Sequence, residues 1–289
     1  MRTIHTLFDP DARTDGEFWA SHIQAGSSPS LKLFTHNITA NQLRQLIQVA
    51  PAGQEGQEAW LDSELLDTII GLFLIAKGSN LTVDEACLHH TVSTHHDAQI
   101  RVFGCDFSKW ICMHDITTRK LKRRFKDHVI ATDERWWCPA HIASQPSSTH
   151  QGLGCHYVVI KPSLDLRQVT SSDSLRDNGS FTESIHWLAR KFSQIPNLLL
   201  DPSRMQSARP WRFPFSQELH HMEQINSSDC AIHLIADLAQ TLFGIAHSAR
   251  TVQRLRQNLP ILLVAFYLTH GNLKNNALHH QLQLEIISQ

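Results

Sequence analysis

Gln224-Ile225-Asn226-Ser227-Ser228-Asp229-Cys230-Ala231-Ile232 is a polar turn that gives way, at a cysteine, to an apolar run. From that point Ala231, Leu234, Ile235, Leu238 and Leu242 recur at offsets of three and four, the spacing of a buried helix face. The pattern predicts a helix over Cys230 to His247 with the cysteine at its N-terminus. There the unpaired backbone N–H groups and the positive end of the helix dipole favour a thiolate over a thiol, which makes a nucleophile at neutral pH. Asp229 or Ser228 is expected to cap the same turn. Gln224 can set a side-chain amide beside the cysteine's own N–H, giving two donors aimed at a developing oxyanion. A cysteine taken alone is more often a small buried hydrophobe than a nucleophile, so the reading depends on a base elsewhere in the chain.

Cys155-His156-Tyr157-Val158-Val159-Ile160 supplies one. Its β-branched run predicts a buried strand that begins with a histidine, and His156 is the candidate base. A second extended run, Leu166 to Ser172, ends at Asp173-Ser174-Leu175. Two antiparallel strands joined by a turn at Pro162 to Asp165 would bring Asp173 beside His156, where it can orient the imidazole. His186-Trp187 is a rival pair, but it lies inside the helical pattern of Phe181 to Phe192, with Ser180 as its cap, and no strand follows it.

These residues resemble the ubiquitin-like-protein-specific cysteine proteases, the SUMO protease family. The resemblance rests on a His followed by an aromatic and a hydrophobic strand, on Asp-Ser-Leu further along, and on Gln-x-Asn-x-x-Asp-Cys. Trp60-Leu61-Asp62-Ser63-Glu64-Leu65-Leu66 is similar to that family's first helix, and Trp136-Trp137-Cys138-Pro139-Ala140-His141-Ile142 to its strand ending in Pro-Ile-Asn. The four blocks stand in family order over about residues 36 to 260. Two positions depart from the family pattern: Tyr157 stands where Trp is usual, and Ala231 where Gly is usual. The connection from Ile142 to Gly154, rich in Ser, Gln, Pro and Gly, is longer than usual and reads as a loop.

The resemblance implies an α+β fold with a papain-like core, a central mixed sheet flanked by helices and the nucleophile at a helix N-terminus. It implies a cysteine-type peptidase that cleaves a SUMO-like or NEDD8-like modifier after Gly-Gly, from a precursor or from a lysine side chain. His156, Asp173 and Cys230 would be the triad and Gln224 the oxyanion donor. Trp60 and Tyr157 would be opposite walls of a channel that admits only the Gly-Gly tail. No metal and no organic cofactor is required.

Composition sets the remaining bounds. Across 289 residues, 26 Lys and Arg stand against 27 Asp and Glu, so no net basic field argues for nucleic acid. The one basic cluster, Arg119 to Lys126, reads as a solvated helix face. The cysteines, at 87, 105, 112, 138, 155 and 230, include no C-x-x-C pair and fit reduced thiols in the nucleus or cytoplasm. Cys138 and Cys155 read as structural. The Cys and His residues between Cys87 and His114 have irregular spacing that does not match the paired ligands of zinc modules. The start of the chain is no signal peptide, and the longest apolar runs fall well short of the roughly 20 residues that cross a bilayer.

In domain terms, residues 1–35 read as an N-terminal extension and 36–289 as the catalytic domain. Thr39 with Gln42 forms the capping pattern of a short helix, and Asp62 to Lys77 is a helix buried nearly all round. Val102 to Asp106 and Trp110 to His114 read as strands or short helices, Arg135 to Ala140 as a strand, and Leu219 to Glu223 as a strand that delivers Gln224. Val252 to Leu268 reads as a helix interrupted at Pro260. Two other functions fit the same triad: an acyl- or acetyltransferase that passes the acyl group to a protein instead of water, and a pseudo-protease that holds a modifier without cutting it.

Overall fold

Trp136 and Trp137 are neighbours in one strand, so their side chains point to opposite faces of its sheet. Both are buried, at 1% and 0% exposure, and side chains on both faces of that sheet are therefore out of water. The computed structural model of the chain describes residues 30–33, 36–47, 61–79, 89–125, 130–143, 156–175, 181–199, 210–214 and 229–270. It divides into two compact units, one formed by Met1–Cys87 with Gln224–Gln289 and the other by Leu88–Glu223.

The Leu88–Glu223 unit is built on a mixed five-stranded sheet in the order β3-β4-β5-β6-β7. Its strands are β3 (His89–Ser93), β4 (Gln99–Phe103), β5 (Arg135–Ile142), β6 (His156–Ser163) and β7 (Gln168–Ser172). Only β4 and β5 run parallel; the other pairs are antiparallel. A parallel pair needs a crossover, and α3 (Cys105–Met113) and α4 (Thr118–Phe125) provide it. Together with α5 (Thr182–Leu199) they cover one face.

Aromatic side chains dominate that face. Phe103 stacks on Phe107 at 4.2 Å, Phe107 meets Phe125 edge-on at 5.7 Å, and Phe192 closes the other side of Phe107 at 5.9 Å. Such pairs contribute about 0.5–1.5 kcal/mol each beyond the area they bury. One buried ion pair sits in the same unit. Arg101 donates from Nε to Glu134 Oε2 at 2.9 Å, and Trp136 Nε1 donates to the same oxygen at 2.7 Å. Residues 119–125 of the basic cluster lie on α4, with Leu121 and Phe125 buried and Arg119, Lys122 and Arg123 exposed.

Among the described residues the other unit holds a hairpin, β1 (Ser30–Leu33) with β2 (His36–Thr39), and four helices: α1 (Ala40–Ile47), α2 (Ser63–Ala76), α6 (Cys230–Phe243) and α7 (Ala249–His270). The capping pattern at Thr39 is realised in both directions: Thr39 N–H donates to Gln42 Oε1 at 2.7 Å, and Gln42 N–H donates to Thr39 Oγ1 at 3.3 Å. Gln42 Nε2 also donates to Asp62 at 2.6 Å, and Asp62 caps α2 by accepting from Leu65 N–H at 2.7 Å. One glutamine thus ties the starts of two helices together. Every residue of α2 from Leu65 to Ile75 is buried, as its many apolar positions predict, Asp67 and Thr68 included.

Four local expectations are corrected. The turn before β7 lies at Leu164–Arg167, two residues beyond the expected Pro162–Asp165, because β6 continues through Pro162, which pairs with Val169; β7 then begins at Gln168 instead of Leu166. The helix at Cys230 ends at Phe243, not His247, since Gly244 adopts φ 72° and its N–H closes onto Gln240. The helix at Phe181 runs on past Phe192 to Leu199. Finally, α7 passes through Pro260 without ending. Proline in a helix interior costs about 3 kcal/mol; Val252, Leu255, Leu259 and Leu263, all buried on this helix, outweigh it. Leu219–Glu223 lies outside the described residues.

Candidate active site

In the Leu88–Glu223 unit, β6 and β7 run side by side, so the first residue of one strand lies near the residue that leaves the other. His156 opens β6 and Asp173 follows Ser172 at the end of β7. His156 Nε2 lies 2.6 Å from Asp173 Oδ1, a short contact of the charge-assisted kind. The same carboxylate oxygen accepts the backbone N–H of Leu175 at 2.9 Å, which fixes the carboxylate while it fixes the ring. His156 is 1% exposed, and Phe181 packs against its imidazole at 4.8 Å between ring centres. With the Nε2 proton spent on Asp173, the neutral ring carries its basic lone pair on Nδ1.

Tyr157, the next residue of β6, is paired in register with His141 of β5, and the two rings stack at 4.3 Å with 12° between their planes. Burial, the charge of His156 and the charge of Lys109 together lower the His141 pKa to about 4. His141 is therefore neutral near pH 7. Neither the stack nor this neutral histidine is expected from the sequence; the tandem of Pro139, Ala140 and His141 marks a strand but no role.

Cys230 is the first residue of α6 in the other unit, a free thiol 6% exposed. Ala231 behind it is 1% exposed, a position where a methyl group is packed. Asp229 precedes it as the N-cap residue, yet the expected cap does not form. Its backbone is already helical (φ −89°, ψ 0°), its side chain makes no bond to the helix start, and its carboxylate is instead paired with the guanidinium of Arg256. Arg256 lies on α7, and no local pattern links it to the Asp-Cys motif. Ser228, the other expected cap, lies outside the described residues, as do Trp60, Gln224 and Cys155.

Two further thiols are held protonated by their surroundings. Burial pushes the Cys138 thiol well above its ordinary pKa, and it pushes Cys112 up to about 11 against a small opposing effect of Lys191. Both stay protonated and unreactive at neutral pH. Among the described residues no group of three or more His, Cys, Asp or Glu side chains converges as a metal site, and no helix is long and apolar enough to cross a membrane.

No protein-family profile and no curated protein sequence matches the chain. Solved structures do. The SUMO protease Ulp1 with its catalytic cysteine oxidised to a sulfonic acid superposes with a TM-score of 0.54 at 13% identity, covering 90% of this chain and 97% of that one. The C-terminal Ulp1 protease domain in complex with Smt3, the yeast ortholog of SUMO, gives a TM-score of 0.53 at 13% identity, covering 90% and 96%. The chain thus has the Ulp1-type SUMO protease fold, an α+β papain-like core around a mixed sheet.

Proposed function

We propose that this protein is a cysteine peptidase that cleaves SUMO-like, or other ubiquitin-like, modifiers after their C-terminal Gly-Gly. The observation that carries the reading is the 2.6 Å pairing of His156 Nε2 with Asp173, in a chain of Ulp1-type fold whose Cys230 opens a buried helix. An imidazole held through Nε2 offers Nδ1 to a thiol.

The steps follow from those groups. His156 Nδ1 takes the proton of Cys230, and the thiolate attacks the carbonyl carbon of the terminal glycine. The negative oxygen that forms is stabilised by backbone N–H groups at the start of α6 and by the Gln224 amide. His156 then gives its proton to the leaving amine as the C–N bond breaks, leaving an acyl-thioester on Cys230. Water, deprotonated by the same histidine, attacks the thioester; a modifier ending in a glycine carboxylate is released and the thiol is restored. Asp173 keeps the ring oriented and stabilises the imidazolium throughout. Trp60 and Tyr157 form the walls of the Gly-Gly channel in this reading, and residues 36–289 form the catalytic domain behind an extension of residues 1–35. A nuclear or cytoplasmic setting, which keeps thiols reduced, suits the chemistry.

The test is hydrolysis of SUMO, NEDD8 and ubiquitin precursors that carry residues beyond Gly-Gly, with the products weighed by mass spectrometry. The proposal expects one precursor to be cut after Gly-Gly by the wild type and not by Cys230→Ala. Cleavage of none, together with Cys230-dependent acetyl transfer from acetyl-CoA to protein, would replace the peptidase by an acyltransferase. Binding of a modifier without turnover would replace it by a modifier-holding protein.

A further inference from the structure

The residue before the nucleophile is a carboxylate, and that is a problem for a site that must stabilise negative charge. A capping aspartate accepts hydrogen bonds from the first-turn N–H groups of its helix. At this position it would occupy the donors that a thiolate or an oxyanion needs, and it would add a like charge next to Cys230. The structure turns the carboxylate elsewhere. Asp229 makes no side-chain bond to the start of α6; its Oδ1 accepts from Nε and faces Nη2 of Arg256. Asp229 has already entered helical backbone, and the first intrahelical bond, His233 N–H to Asp229 C=O at 2.9 Å, needs no help from its side chain.

Arg256 is itself held in place. Its residue is 4% exposed, and its Nη1 donates to the carbonyls of Gln45 and Leu46, each at 3.2 Å, in the last turn of α1. Those carbonyls belong to the negative end of a helix and suit a cation. A planar guanidinium can serve the carboxylate from one edge and two carbonyls from another, which a lysine ammonium cannot do in the same geometry. A buried ion pair is weak evidence for stability, because the cost of removing both charges from water offsets their attraction. Its place beside Cys230 suggests a different use.

We infer that Arg256 is a positioning residue for the reaction: by neutralising Asp229 and drawing its carboxylate away, it keeps the first-turn amides of α6 available to the Cys230 sulfur and to the oxyanion. The inference rests on the proposed role of Cys230 and makes a claim about sign that a purely structural pair would not share. Removing the arginine leaves an uncompensated negative charge beside the thiol; removing the aspartate leaves an uncompensated positive one. Their effects on thiolate reactivity are opposite, although both break the same contact.

The test is the rate at which iodoacetamide alkylates Cys230, located by peptide mass mapping, at pH 8 and fixed salt. Wild type, Arg256→Gln, Asp229→Asn and the double variant are compared, with Tm measured for each. The expected result is a slowing of about tenfold in Arg256→Gln, a rate in Asp229→Asn no lower than wild type, and recovery to within about threefold in the double variant, whose pair is neutral. Arg256→Lys, which keeps the charge but not the planar fork and serves if Arg256→Gln folds poorly, should fall between wild type and Arg256→Gln. Both single variants slowing alike in step with lost Tm would overturn the inference. So would a double variant as slow as Arg256→Gln, or no alkylation of Cys230 in the wild type. Alkylation does not depend on the modifier, so a wild type that cuts no precursor yet shows these opposite signs would remove the peptidase and leave the role of Arg256 standing.

Discussion

Lowering the pH from 7 to 4 should destabilise the folded protein through His141, and replacing that residue by phenylalanine should remove the effect. The native state holds its imidazole neutral, with a pKa of about 4 against the ordinary 6.5, because the half-buried ring is desolvated against Tyr157 and because the charges of His156 and Lys109 oppose a second cation. The unfolded chain takes up the proton near pH 6.5. The stability tied to the neutral ring is therefore fully present above pH 6.5 and is lost progressively as the pH falls through the folded value near 4, levelling off below it. Each pH unit between the two values is worth about 1.4 kcal/mol, so the loss comes to about 3 kcal/mol. Urea unfolding of wild type and His141→Phe at pH 7, 5.5 and 4.5 measures it; phenylalanine keeps a flat ring to stack on Tyr157 while removing the titrating group. Subtracting one curve from the other cancels the remaining histidines. Wild type should lose stability more steeply than the variant, by a growing gap of about 1 to 3 kcal/mol toward acid pH. Parallel curves would refute the reasoning, since they would mean that His141 binds its proton as readily folded as unfolded.

Three further outcomes follow from the same geometry. Asp173→Ala removes the acceptor for both His156 Nε2 and Leu175 N–H, and on a fluorogenic modifier substrate it should lower kcat by roughly 10² to 10⁴ while KM moves only a few-fold; Asp173→Asn, whose amide oxygen can still accept, should lose less, and an unchanged kcat in Asp173→Ala would remove it from the mechanism. Glu134→Gln strips the charge that pairs with Arg101, at side-chain exposures of 5% and 8%, and should cost about 3–5 kcal/mol in urea unfolding, whereas a loss under 1 kcal/mol would show that the pair is solvated. Gly244→Ala forces a Cβ into φ 72° at the end of α6 and should cost about 1 kcal/mol, read as a lower urea midpoint, with no cost expected only if the turn adopts another conformation.

Features set by near neighbours along the chain are legible in the amino-acid sequence itself. The Thr39–Gln42 capping box, the buried α2 and the strand that opens at His156 all depend on patterns a few residues long. Asp173 is legible because two strands joined by a short turn must bring their ends together. What is not legible depends on partners far along the chain. Asp229 reads, beside Ser228, as a candidate N-cap, but Arg256, 27 residues away, takes its carboxylate. Pro260 reads as a helix break, but buried leucines on the same helix carry it through. Pro162 reads as a turn, but in β6 it takes a place in the ladder opposite Val169. The His141–Tyr157 stack follows from the β5–β6 register, which a strand prediction alone does not fix.

The central claim is that Cys230 attacks the terminal glycine of a ubiquitin-like modifier with His156 as its base. SUMO, NEDD8 and ubiquitin carrying a C-terminal vinyl sulfone or propargyl group test it directly, each incubated with wild type, Cys230→Ala and His156→Ala and read as a mass shift on a gel. The predicted result is a covalent adduct of the wild type with one modifier, absent in Cys230→Ala and slowed by orders of magnitude in His156→Ala. A folded wild type that takes none of the three probes, or an adduct that survives Cys230→Ala, would contradict it.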